Sequence, residues 1–287
     1  MNNIPHFDYG GNGIPLHFLH ANGYPPECYQ PLLELLEKQH HVFGMKLRPL
    51  WGDSKPDDLQ DWHPLSDDLL RFLAERNQGA FSMEPVIGVG HSIGGIVTLR
   101  AAIREPKKFR ALVLLDPVLF IPSFLAGWTI LRAMGLGDRV HPLIAGAKRR
   151  RRTFDNLDNV FRSFRSRPIF RYLSDESLRV YIEGMTRKKD DETFELIYLP
   201  EWEARIYLTG LRDFDLWRAL PKLEVPTLII RGAKTDTFLK EAETLVKKKN
   251  PKIQVVTMQN ATHILPLEYP QEVTNIINDF LTMASGQ

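Results

Sequence analysis

Cysteine is almost absent from this 287-residue chain, where Cys28 stands alone. A single thiol forms neither an intrachain disulfide nor a cysteine-based zinc cluster. It carries no mark of an oxidising compartment, so a cytoplasmic location is expected. Net charge is almost absent too. With 37 Lys+Arg against 35 Asp+Glu the balance is +2, and no global field argues for nucleic acid or a membrane surface. Uninterrupted apolar runs of membrane-span length are missing: the longest, residues 112–131, is broken by Asp116, Pro117 and Pro122. It reads as a buried strand followed by the start of an apolar lid, and no integral membrane segment is expected. The opening MNNIPHFDYGGNG has neither the basic start nor the apolar core of a signal peptide. HExxH is lacking, and His40 and His41 stand apart from any cluster at ligand spacing. Gly10-Gly11-x-Gly13 precedes a strand instead of joining a strand to a helix, so it is a turn and no phosphate loop. No metal or cofactor is expected.

What remains is an ordinary globular composition, 43% hydrophobic and 25% charged, patterned as alternating strands and helices. Strands are expected at 14–20, 41–47, 85–91, 110–116, 226–232 and 253–258. Several are nearly continuous apolar runs, as parallel strands covered on both faces should be. Segments between them, such as CYQPLLELLEKQ and HPLSDDLLRFLAER, space their apolar residues for helices. The alternation stops after Asp116 and resumes near Val225. About a hundred intervening residues, rich in Phe, Trp, Leu and Arg, read as short helices inserted at the sheet edge where open α/β folds bind ligands. The dense KRRRR at 148–152 reads as a solvated face, with an acidic headgroup or lipid surface as the alternative.

Gly90-His91-Ser92-Ile93-Gly94 fits G-x-S-x-G, a pattern that arises by chance in about one chain in ten of this length. Here an apolar strand runs into it and a helix, IVTLRAA, runs out, which is the strand-turn-helix setting the motif requires. Such a turn strains the serine backbone and lifts its hydroxyl above the sheet, and glycines on either side leave room for it. A serine hydroxyl needs a base to take its proton and a third group to orient that base. His263, after the last strand, is the candidate base. Asp236, after PTLIIRG, is the expected acid. Asp116, which also ends a strand at the same edge, is the competing acid. Backbone amides must also receive the negative oxygen of an acyl-transfer intermediate. Ile93 supplies one, and Asn22, in the His20-Ala21-Asn22-Gly23 turn after the first long strand, is the candidate for the other.

Together these residues resemble the α/β-hydrolase fold family, in particular serine esterases and lipases with a helical cap between the sixth and seventh strands. The resemblance spans nearly the whole chain. It implies an α/β core of residues 1–117 and 221–287, with a helical cap at 118–220. Ser92 would be nucleophile, His263 base, Asp236 acid, and the Asn22 and Ile93 amides the oxyanion hole. His91 then occupies the variable position before the nucleophile. Two departures stand out: the family's His-Gly-x-x reads His-Ala-Asn-Gly here, and the short N-terminal part implies about seven strands, mostly parallel, with IPHFDYG as an edge remnant. Relatives with aspartate as nucleophile, the epoxide hydrolases and haloalkane dehalogenases, are excluded by Ser92.

The implied reaction is hydrolysis of a small-molecule carboxylic ester. The apolar segment FIPSFLAGWTILRAMGLG suggests an apolar acyl group. Alternatives on the same serine are carbon–carbon hydrolysis of diketones, thioester or lactone hydrolysis, and acyl transfer; a low-turnover ligand-binding receptor is a further one. A homodimer is compatible with the sequence.

Overall fold

Strand β5 (Phe109–Leu115) shows why this chain builds a covered sheet. Ala111, Val113 and Leu115 join one apolar cluster while Leu112 and Leu114 join another, so alternate side chains feed two cores on opposite faces. The computed structural model describes residues 4–76, 84–137, 141–189 and 193–285. Its central sheet has seven strands. The others are β1 (His6–Gly10), β2 (Ile14–Leu19), β3 (His40–Met45), β4 (Val86–His91), β9 (Thr227–Gly232) and β10 (Gln254–Met258). Their order is β1-β3-β2-β4-β5-β9-β10, with every pairing parallel except β1 with β3. The expected edge remnant is thus the antiparallel strand β1.

On one face, α1 (Gln30–Glu37) and α12 (Pro270–Ser285) bury Leu32, Leu33, Leu36, Val273 and Ile277. On the other, α2 (His63–Arg76), α3 (Ile93–Arg104) and α10 (Lys240–Lys249) bury Leu69, Ile96, Val97 and Val246. Gly88 and Gly90 let α3 approach β4 closely. A Cβ on Gly88 would lie 2.8 Å from the Thr98 side chain, and one on Gly90 would lie 2.4 Å from the Gly94 carbonyl oxygen.

Between β5 and β9 lie helices α4 (Pro122–Ala133), α5 (Pro142–Lys148), α6 (Leu157–Arg165), α7 (Asp175–Met185), α8 (Pro200–Thr209) and α9 (Phe214–Ala219). A small antiparallel sheet also forms there, from β6 (Thr153–Phe154), β7 (Thr186–Lys188) and β8 (Phe194–Leu196) in the order β6-β8-β7. Strands of two or three residues are too short to show a period. The apolar segment at 120–137 divides. Leu125 and Trp128 are buried against the core, whereas Phe124, Ile130, Leu131 and Met134 are 48%, 61%, 36% and 65% exposed. Among the described residues no helix is long and apolar enough to cross a membrane.

Two buried imidazoles fasten β2 and its following turn to the β3 side. The Met45 amide donates to His17 Nε2 at 3.2 Å, and the Leu47 amide to His20 Nε2 at 3.0 Å. Burial holds both rings well below the ordinary imidazole range, His17 at about 3 and His20 at about 4. The unfolded chain therefore binds more protons than the native one from about pH 6.5 down toward these values. This contribution to stability is complete above pH 6.5 and is lost as pH falls through the folded values, by on the order of a few kcal/mol for each ring. Urea midpoints measured from pH 7 to pH 4 should fall steeply. A His20→Asn variant, less stable at pH 7, should fall less steeply.

Candidate active site

Ser92 sits where β4 ends and α3 begins, at φ 57° and ψ −120°. A side chain at such angles costs roughly 1–3 kcal/mol and persists only where its surroundings fix it. The Ser92 amide donates to Leu115 O at 3.0 Å, and its carbonyl accepts from the Gly95 amide at 3.1 Å. Gly94 stands so close to the end of β2 that an added Cβ would lie 2.2 Å from Leu19 O. This contact brings the first turn of α3 against the loop that follows β2.

His263 lies between β10 and α11 (Leu265–Glu268). Its Nε2 is 3.0 Å from Ser92 Oγ, and its Nδ1 is 2.7 Å from Asp116 Oδ2. Asp116 is completely buried, Ser92 is 6% exposed, and the His263 side chain is 24% exposed. A carboxylate on Nδ1 keeps a proton there, which leaves Nε2 as the nitrogen that can accept the serine proton. Buried charge needs partners, and Asp116 has them. Besides His263, its carboxylate accepts from the Gly232 amide at 3.1 Å and from Thr235 Oγ1 at 2.5 Å.

The turn after β2 is fixed with equal detail. Leu47 N–H donates to His20 Nε2, so the proton of the neutral ring is on Nδ1, which donates to Ala21 O at 2.9 Å. Ala21 C=O and Asn22 N–H belong to one planar trans peptide, so anchoring the oxygen directs the Asn22 amide the opposite way. Neither the Asn22 nor the Ile93 amide hydrogen-bonds to another group among the described residues. Gly23 follows at φ 77°, and the glycine supplies the turn that an alanine at 21 cannot. The Asn22 side chain reaches into the insertion: Tyr198 O–H donates to Oδ1 at 2.8 Å, and Nδ2 donates to Glu203 O at 3.1 Å.

A family model described as the alpha/beta hydrolase family matches residues 18–276. The chain belongs to that family. Proline iminopeptidase of Saccharolobus solfataricus is 21% identical over 286 residues, covering 97% of this chain and 89% of its own. Pimeloyl-[acyl-carrier protein] methyl ester esterase of Legionella pneumophila is 22% identical over 279 residues, covering 96% and 98%. Among solved structures, E-2-(acetamidomethylene)succinate hydrolase superposes with a TM-score of 0.76 at 19% identity, covering 96% of this chain and 94% of that one.

Within this alpha/beta hydrolase fold, the acid expected at Asp236 is not beside the histidine. Asp236 is exposed and accepts from its neighbour Thr237 Oγ1 at 3.2 Å, while Asp116 occupies His263 Nδ1. The register explains the choice. Leu115 pairs with His91 on one side and Ile230 on the other, so Asp116 leaves the strand next to the one carrying Ser92. The loop after β9, one strand farther away, contributes hydrogen-bond donors to the carboxylate in place of a carboxylate of its own. Asp116 also takes φ 41°, a left-handed conformation that aspartate tolerates better than most residues.

Ser92 and His263 lie within hydrogen-bond distance, and the start of α3 beside Ile93 meets the backbone of Leu19 and His20 that leads into the Asn22 turn. His91 does not bond Ser92; its ring nitrogens engage other groups. The basic run divides: Arg151 and Arg152 are exposed and pair with Asp155 and Glu201, whereas Arg150 pairs with Glu203 above Gly23. Tyr198, Thr235 and Arg150 carried no spacing signal, because each acts through tertiary contact alone.

The close approach at Gly94 can be tested by substitution. In Gly94→Ala the new Cβ faces backbone that cannot rotate away, and stability should drop by about 2 kcal/mol or more. Gly127→Ala, mid-helix in α4 with nothing within 4 Å of an added Cβ, should instead gain up to about 1 kcal/mol. Urea unfolding of the two variants beside the wild type measures both.

Proposed function

We propose that this alpha/beta hydrolase cleaves carboxylic esters through an acyl-enzyme formed on Ser92, with His263 as general base and Asp116 as its orienting acid. The observation that carries the reading is the continuous hydrogen-bond chain Ser92–His263–Asp116, at 3.0 and 2.7 Å, on a serine held at φ 57°. Ser92 Oγ attacks the ester carbonyl carbon as its proton passes to His263 Nε2. The Asn22 and Ile93 amides receive the negative oxygen. Collapse of the tetrahedral intermediate breaks the bond to the alkoxy oxygen, which takes the proton from Nε2 and leaves as an alcohol. Water then gives a proton to Nε2 as it attacks the acyl carbon, and collapse of this second intermediate breaks the acyl–Oγ bond, Ser92 Oγ taking the proton back from Nε2 as the carboxylic acid leaves.

An apolar acyl group suits the partly accessible side chains near the serine. Val118, whose amide donates to Ser92 O at 3.4 Å, lies beside it in space, and Phe120 follows on the same segment. The exposed apolar residues of α4 lend this preference no support. The insertion acts as a cap in this reading, and its hold on the Asn22 side chain supports that role. The esterase named among the relatives is consistent with ester chemistry.

A fluorophosphonate probe should label wild-type protein and fail to label a folded Ser92→Ala variant; labelling that survives in that variant would sink the proposal. With p-nitrophenyl esters, Asp116→Asn should lower kcat by about 10⁴, the scale of losing the carboxylate behind a catalytic histidine. Asp236→Asn should leave kcat close to wild type. The reverse ranking would return the acid's role to Asp236.

A further inference from the structure

His91 is completely buried beside the nucleophile and has no part in the chemistry above, yet both of its ring nitrogens are engaged. Nδ1 is 2.7 Å from Tyr29 Oη, and Nε2 is 2.9 Å from the backbone carbonyl of His263. A carbonyl only accepts, so Nε2 carries a proton. Burial, aided by the nearby His263, holds His91 well below the ordinary imidazole range, so the ring is neutral and Nδ1 is bare. Tyr29 must then donate its hydroxyl proton to Nδ1. The same hydroxyl oxygen accepts from the Ala21 amide at 3.2 Å. Every donor in the chain has its direction fixed: Ala21 N–H to Tyr29, Tyr29 O–H to His91, His91 N–H to His263 C=O.

Both ends of this chain lie in loops beyond strand ends. Ala21 precedes the Asn22 amide in the oxyanion turn, and the His263 carbonyl belongs to the residue whose ring must meet Ser92. We propose that His91 and Tyr29 are positioning residues, a buried relay that sets the oxyanion turn and the general base at a fixed distance from each other across the nucleophile. The inference rests on the proposed Ser92–His263 chemistry. Its geometry is independent of which ester is cleaved. A ring of equal size without nitrogens at position 91 would fill the same volume yet bond neither the Tyr29 hydroxyl nor the His263 carbonyl. Displacing a reacting group by an ångström can cost about a hundredfold in rate.

The experiment compares Tyr29→Phe, His91→Ala, His91→Gln and His91→Asn with Leu33→Ala, a core truncation in α1 near the same face. Glutamine keeps a donor at the reach of Nε2, toward His263; asparagine keeps an acceptor at the reach of Nδ1, toward Tyr29 alone. Two quantities are read: kcat and KM on p-nitrophenyl butyrate, and the downfield proton resonance of His263 Nδ1–H, assigned by its loss in Asp116→Asn. Tyr29→Phe and His91→Ala should lower kcat by about ten- to a hundredfold with little change in KM, and should shift or broaden the resonance. His91→Gln should recover most of the kcat lost in His91→Ala, and His91→Asn should not. Leu33→Ala should lose stability with kcat and resonance intact. The proposal is overturned if kcat falls only in step with melting temperature across all five variants, or if the resonance is unmoved in Tyr29→Phe and His91→Ala. Should the wild type hydrolyse no ester while the resonance still responds to both variants, the relay stands and the ester reading falls.

Discussion

A serine does not hold φ 57° unless the chain on both sides leaves it nowhere else to go, and here two close approaches of backbone impose that limit. Gly90 meets the Gly94 carbonyl, and Gly94 meets the end of β2. The first contact forces the reversal from strand to helix at Ser92. The second draws the start of α3 onto the turn carrying Asn22. Strain at Ser92 and the approach of the Asn22 and Ile93 amides therefore both turn on Gly94. The two covered faces of the sheet supply the energy that sustains it, through apolar side chains that alternate between cores along β5.

Electrostatics around the elbow follow from burial. His17, His20 and His91 are fully enclosed and neutral, so each behaves as a directional donor and acceptor without charge. The buried carboxylate of Asp116 is met by three separate donors, from His263, Thr235 and the Gly232 backbone. Neutral rings set positions, and one carboxylate with several partners holds the His263 ring.

The sheet and its strand count were legible because apolar runs and helical spacing are properties of local sequence. The meeting of Ser92 and His263 was legible because a glycine-flanked turn and a histidine after the last strand are tied to the topology. The carboxylate that bonds His263 was not. Asp116 and Asp236 both follow strands that end at the same edge, and only the direction of a side chain, set by register and a left-handed φ at Asp116, separates them. Tyr29 and Tyr198 were hidden for another reason. A single hydroxyl bonding across 62 residues, as Tyr29 does to His91, or across 176, as Tyr198 does to Asn22, leaves no periodic trace.

The bond from His263 to Asp116 changes how the molecule divides along its length. Ser92, Ile93, Asn22 and Asp116 all precede the insertion, within one continuous stretch whose geometry is locked by adjacent parallel strands. Only His263 must be returned to them across the remainder of the chain. The span from β5 to β9 can therefore change in length and shape without altering the distance from Ser92 to Asp116, while Tyr198 and the Glu203 carbonyl tie it to the Asn22 side chain.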